Sequence, residues 1–326
     1  LVKSAASLEF LDGCIIEKDY FFFSTRLDAQ PLDEYDHGRI MWFESGKWFY
    51  QDRNWQVSAV CVLAHAASKK DRAYVALEEG SGIVGFYIPG SGKDVIDEAL
   101  PRGEHGQGIA SLTDIAQIGG HLYLCGYGGK VMRRADGKWE SFDNGLKALT
   151  LRDFLQRGMS VSDALQAAAP TQRDMIAING FSEEDIYCVG REGLIFHFDG
   201  SIWHQTEKAT NVDLNCVHCA ADGFVYTAGN RGVLIQGKGN DFHVLISGVD
   251  DDFYAATWFD GHLYVGGLKG LYRLEKDGLR YVDTGEGSFK CRALDSCAGQ
   301  LLVIAKRWLA VFDGLNWKRI DHPDNI

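Results

Sequence analysis

Four stretches decide the fold: His121-Leu-Tyr-Leu-Cys-Gly126-Tyr-Gly-Gly129, Asp185-Ile-Tyr-Cys-Val-Gly190-Arg-Glu-Gly193, Phe224-Val-Tyr-Thr-Ala-Gly229-Asn-Arg-Gly232 and His262-Leu-Tyr-Val-Gly-Gly267-Leu-Lys-Gly270. Each reads as an apolar strand running into a Gly-x-x-Gly turn. The first glycines stand at 126, 190, 229 and 267, so the last two steps are 39 and 38 residues. A degenerate copy, Leu302-Val-Ile-Ala305-Lys-Arg-Trp308, follows 38 residues further on. The step of 64 between the first two copies equals one repeat plus about 26 inserted residues.

A second marker follows the next strand. It reads Asp136-Gly-Lys-Trp139, Asp199-Gly-Ser-Ile-Trp203, Asp277-Gly-Leu-Arg-Tyr281 and Asp313-Gly-Leu-Asn-Trp317, with Glu44-Ser-Gly-Lys-Trp48 as a looser version. Asp-Gly supplies the backbone geometry of a tight hairpin, and the aromatic behind it suits a packed β surface. Paired hairpins at a period near 40, with 5 prolines in 326 residues, predict an all-β fold, a seven-bladed β-propeller. The predicted blades run 8–53, 56–100, 109–144, 174–208, 213–246, 253–284 and 289–320, within a single domain, 1–326. Asn316-Trp-Lys-Arg-Ile320 reads as an outermost strand, so the ring is expected to close by packing blade one on blade seven without strand exchange. Residues 146–172 carry helical periodicity, with capping signals at Thr150–Asp153 and Ser160–Asp163, Gly158 as a stop and Pro170 beyond. A short helical hairpin between blades three and four is predicted there.

These turns, and Phe198-Asp-Gly-Ser-Ile-Trp203 in particular, resemble the bacterial propellers of the BNR (Asp-box) and photosystem II assembly-factor-like superfamily. The resemblance spans all seven blades, strongly in three to seven. It departs from the sialidase Asp-box, because Asp and Gly are adjacent here, and the Trp-Asp dipeptide of WD repeats is missing. The resemblance implies the fold and leaves activity open, since propellers host unrelated functions. Similar propellers occur beside polymorphic toxins, which implies a toxin immunity protein as one concrete role.

Acidic residues outnumber basic ones 45 to 33, a net charge of −12. That balance disfavours nucleic acid and anionic membrane as partners and suits a basic protein, although solubility alone also explains it. No apolar run approaches the ~20 residues of a membrane-spanning helix. Leu1–Ser7 reads as a cut or processed end, not an intact signal peptide. The 8 cysteines are even in number, but Cys216 and Cys219 point to opposite faces of one strand, and Cys291 and Cys297 lie too far apart along another to bridge. Buried free thiols in a cytoplasmic protein are the expectation.

The chemistry reads as sparse. A sialidase-like site needs three arginines clamping a carboxylate, and the inner strands offer Arg292 with Arg173 at an edge. Cys216-Val217-His218-Cys219 is at most half a zinc site. Asp114, Asp260 and Asp295 approach the channel, but turn-proximal carboxylates usually serve as caps. No catalytic residue, metal site or cofactor is therefore expected. The turns between second and third strands share one rim with the crossovers between blades. That rim is expected to carry Trp55, Glu78, Glu79, Tyr127, Arg191, Glu192, Arg231, Asp250, Asp251, Asp252, Lys269, Arg307 and Trp308 as partner-binding residues, together with the helical insertion. The favoured role is a non-catalytic protein-binding propeller, most concretely an immunity protein that occludes the active site of a cognate, basic toxin. The alternatives are a hydrolase or lyase working on a glycan or small molecule in the channel, and an assembly or stability factor.

Overall fold

The computed structural model describes residues 7–28, 37–64, 72–78, 82–88, 94–99, 112–146, 149, 151–168 and 173–326. They form seven four-stranded antiparallel sheets, each in sequence order. The innermost strands are Leu8–Glu17, Ala59–Leu63, Leu112–Ile118, Met175–Ser182, Leu214–Cys219, Phe253–Phe259 and Cys291–Cys297. Each packs against the next around the ring, and Leu8–Glu17 also packs against Cys291–Cys297. The predicted propeller is the observed one, and its seven blades begin and end within a few residues of the predicted limits.

Burial follows the same symmetry. The described residues form seven apolar clusters, one at each blade–blade interface. At the boundary of blades one and seven, Leu8, Phe10, Phe21 and Phe23 meet Leu302, Ile304 and Leu309. A twisted sheet has two faces to cover, and wedge-to-wedge stacking covers both without helices.

Each sequence marker has a packing reason. Asp199 accepts hydrogen bonds from the backbone N–H groups of Ser201 and Ile202, at 2.9 and 3.1 Å, and from His204 Nε2 at 2.8 Å. Those bonds pull its carboxyl down to about 2. Asp313 repeats the turn with Leu315 and Asn316. The aromatic that follows then reaches the preceding blade, where Trp203 donates from Nε1 to the Phe142 carbonyl at 2.8 Å.

The ring closes without strand exchange, because strands 8–53 and 291–321 make separate sheets. Asn325 staples them. Its side chain accepts from Leu8 N–H at 2.9 Å and donates to the Arg307 carbonyl at 2.7 Å. Nearby His322 packs edge-on against Trp48, with ring centroids 4.8 Å apart. Asn325→Ala is expected to cost about 2 kcal/mol, because it strands two partly buried backbone groups. Urea denaturation measures this, and an unchanged midpoint would show that the staple contributes nothing.

Two helices, α1 (Leu151–Gln156) and α2 (Val161–Ala168), lie between blades three and four, as predicted. Ser160 caps α2, its Oγ accepting from Asp163 N–H at 3.1 Å and donating to the Asp163 carboxylate at 2.7 Å. Gly158 ends the preceding turn with φ of 83°. The Thr150 cap and Pro170 fall outside the described residues.

Candidate functional site

The Gly-x-x-Gly turns are tight because crossovers between blades lie directly on them, the one entering the blade on the first glycine and the one leaving it on the second. A Cβ on Gly229 would stand 1.9 Å from the Asp213 carbonyl oxygen, and one on Gly232 would stand 1.9 Å from that of Val249. Between these glycines the middle residue is left-handed, with φ of 54° at Glu192 and 56° at Arg231. An aspartate of the following blade holds each such residue. Asp213 accepts from Glu192 N–H at 2.8 Å and Asp252 from Arg231 N–H at 2.9 Å. The hydrogen bond helps offset the strain of a conformation that L-residues avoid.

The result is a rim of short, braced turns with exposed side chains, including Arg191, Glu192, Arg231 and Lys269. Tyr127 is half-buried beneath Arg191, whose guanidinium lies 5.1 Å from the ring centroid. The helical insertion leaves and returns on this same rim. Arg173 Nη1 donates to the carbonyls of Gly145 and Leu146, at 3.0 and 2.8 Å, and the Arg173 carbonyl accepts from Gly129 N–H at 2.6 Å. On the helices Leu155, Val161 and Leu165 are exposed, while Phe154 and Ala164 are buried.

The expected contact residues divide when placed. Asp250 joins the exposed group, while Asp252, Glu78, Arg307 and Trp308 are half-buried. Trp55, expected on the surface, is instead buried with Ile40, Val57 and Tyr87 between blades one and two. An aromatic on a crossover lands inside when the next blade stacks over it. Asp251, also expected on the surface, is instead a buried clamp: its carboxylate accepts from Lys269 N–H at 2.8 Å and from the Tyr272 hydroxyl at 3.0 Å. Glu79 lies outside the described residues.

Sequence reasoning missed a charged knot at the mouth of the channel. Buried Glu9, at the start of the first innermost strand, meets Arg26 Nη2 and Lys306 Nζ, both at 2.6 Å. Arg292 Nη2 lies at 3.5 Å and Arg307 Nη2 at 3.9 Å. Burial opposes ionisation of Glu9, but Lys306, Arg26 and Arg292 outweigh it and hold the carboxyl below its ordinary value. The available signal was the degenerate fifth turn, where Ala305-Lys306-Arg307-Trp308 puts two cations and an aromatic in place of the glycine pattern.

Deeper in the channel, polar side chains tie several innermost strands to their neighbours. Asp12 accepts from Val60 N–H at 2.8 Å, Asp114 from Ile178 N–H at 2.9 Å and Asp295 from Ile15 N–H at 2.7 Å. Burial pushes all three carboxyls up, Asp12 to about 7, with Asp114 and Asp295 adding repulsion at Asp12. Asp260, by contrast, sits exposed in a turn with φ of 47°. His218 uses Nε2 to accept from Trp258 N–H at 3.1 Å, and burial lowers it to about 4. It is thus a neutral rung of this ladder, not half a metal site. Among the described residues no group of three or more His, Cys, Asp or Glu is arranged to hold a metal ion. All eight cysteines are free thiols. Arg173 is committed to the root of the insertion and stacks over Phe196, away from Arg292. No helix of the described residues is long and apolar enough to cross a membrane.

Fold and rim together define a seven-bladed propeller with one braced, side-chain-rich face. No family model matches the chain. It is 34% identical over 239 residues to the immune protein Tsi7 of Pseudomonas aeruginosa, a match covering 72% of each chain, and it belongs to that family. Among solved structures it is similar to YCF48 bound to D1 peptide, with a TM-score of 0.62 and 11% identity over 97% of this chain and 94% of the other. The WD40 propeller of Doa1 gives a TM-score of 0.62 at 10% identity over 98% and 94%. At those identities the likeness is one of fold.

Proposed function

We propose that this chain is a non-catalytic immunity protein that grips a cognate toxin with the rim carrying the Gly-x-x-Gly turns and the helical insertion, occluding the toxin's active site. The observation that carries the reading is the relationship to an immune protein over most of the chain. Three features of the rim support it. Its turns are braced by aspartates of the neighbouring blade, so binding there costs little ordering entropy. The only described helices are rooted on it. Leu155, Val161 and Leu165 stand exposed on those helices, as apolar anchors of an interface do. The net charge of −12 favours long-range steering of a basic toxin domain.

The experiment is co-expression with the product of the adjacent gene, followed by affinity measurement on the purified pair. Replacing residues 147–172 by a short Gly-Ser linker is expected to weaken binding at least a hundredfold, about 2.7 kcal/mol, with the propeller still folded. The roots sit side by side, so the deletion leaves the blades joined. Unaltered protection of the cell by the deleted form would contradict the rim assignment. Failure of the intact protein to bind that product would contradict the immunity reading.

A further inference from the structure

The knot around Glu9 holds more positive charge than its carboxylates balance. Leaving Arg26 aside, Arg292, Lys306 and Arg307 face Glu9 and Asp28, and Lys290 lies within the field of this group and of Asp252. Glu9 is a single charge touched by several cations, and a carboxylate has about four lone-pair directions to share among them. Arg292 receives a long contact of 3.5 Å, and its Nε is buried without a hydrogen-bond partner. Lys290 Nζ lies 4.1 Å from the centroid of the Tyr254 ring. Its pKa is lowered by burial, then by Arg292 and Lys306, against Asp252, which is the response of an ammonium held among other cations.

All these groups open to the rim. Lys290 lies on the crossover into blade seven, Arg292 starts that blade's innermost strand, and Lys306 and Arg307 form its turn. The Arg292, Arg307 and Lys306 side chains are 26, 37 and 49% exposed, whereas Glu9 beneath them is 5% exposed. A recess with a buried anion at its floor and partly exposed cations around its lip is locally positive on a protein of net charge −12.

We propose that this recess at the junction of blades one and seven is an acceptor for an acidic side chain of the partner protein, an Asp or Glu that Arg292 and Lys306 receive at the channel mouth. The inference deepens the immunity reading and rests on it for the identity of the partner. A carboxylate fits better than a phosphate group, because Glu9 on the floor repels a dianion more than a monoanion. The partly exposed end of the Arg292 guanidinium matches a planar carboxylate in the bidentate manner that guanidinium favours. Overall steering by the acidic surface and a local basic anchor act at different ranges, so the two are compatible.

The test compares wild type with Arg292→Gln, Lys306→Glu and Lys138→Glu, the last an exposed lysine at the opposite end of the blades. Each is titrated calorimetrically with the product of the adjacent gene as the candidate toxin, with hexaglutamate and with inorganic phosphate. Thermal melts confirm folding, and Arg292→Gln, the neutral change, stands in if the charge reversal unfolds. The expected result is a loss of at least tenfold in affinity for toxin and for hexaglutamate in both pocket variants, none in Lys138→Glu, and weaker binding of phosphate than of the peptide. Equal affinities in the pocket variants and wild type would overturn the acceptor, while toxin binding by all of them would leave the immunity reading standing. Phosphate binding tighter than peptide would overturn the carboxylate assignment. If the toxin fails to bind wild type, the immunity reading falls and the hexaglutamate series alone decides the pocket.

Discussion

Gly229→Ala is expected to destabilise the protein by about 3 kcal/mol, the upper part of the range for forced overpacking. The added Cβ would stand 1.9 Å from a backbone carbonyl oxygen of Asp213, and a main-chain atom cannot rotate away as a side-chain tip can. Relief requires the crossover into blade five to move, and that crossover also carries the Asp213 bond to Glu192. The effect should therefore reach two blades. Gly120→Ala is the control: its Cβ would meet only the Glu183 carboxylate at 3.5 Å, so a change within about 0.5 kcal/mol is expected. Urea denaturation of the two variants measures the difference. Similar midpoints would mean that the glycine pattern marks something other than blade packing.

The second large effect is a pH-dependent gain. Asp12 has its pKa raised from 3.8 to about 7, chiefly by burial and then by Asp114 and Asp295, against the pull of the Val60 amide. Between about pH 4 and 7 the native state keeps a proton that the unfolded chain releases, so this group's contribution falls as pH rises and levels off above 7. At 1.36 kcal/mol per unit, the penalty in alkaline solution is at most about 4 kcal/mol. Asp12→Asn keeps an oxygen for the Val60 N–H while discarding the charge. It should raise stability at pH 8 by about 2–4 kcal/mol and change little at pH 4. His218 works in the opposite direction. With its folded pKa lowered to about 4, its contribution is full above pH 6.5 and is lost as the unfolded chain takes up a proton on acidification. The two trends partly cancel in wild type. Denaturation midpoints across pH 4–8 separate them, and a destabilised Asp12→Asn protein at pH 8 would contradict this assignment.

The fold was legible because its two markers are direct imprints of packing. Gly229 and Gly232 are glycines because carbonyls of the crossovers entering and leaving their blade sit on them, and Asp199 and Asp313 recur because each closes a hairpin with its own carboxylate. Such local constraints repeat once per blade, so a period reveals them. The site was legible in part. The rim followed from topology, and Arg191, Glu192, Arg231 and Lys269 are exposed there as expected. Trp55 and Asp251 were misplaced because the burial of a crossover residue depends on how the following blade stacks, which no local pattern encodes. Glu9 was missed for a related reason. Arg26 faces it across the first hairpin, but its partners at 292, 306 and 307 meet it only when the two ends of the repeat close into a ring. The three-rung carboxylate ladder was seen at Asp114 and Asp295 as channel-proximal, but its bonding to neighbouring blades was not, and Asp12 lay in a blade with weak markers.

The claim on which the functional account stands is that the rim of Gly-x-x-Gly turns meets the toxin. Backbone hydrogen exchange of the protein, alone and saturated with the cognate toxin, tests that most directly. Slowed exchange is expected at Tyr127–Gly129, Arg191–Gly193, Asn230–Gly232 and along α1 and α2, with the hairpin turns at Asp136, Asp199, Asp260 and Asp313 unchanged. Protection confined to those hairpin turns, at the other end of the blades, would place the contact on the wrong face and contradict the account.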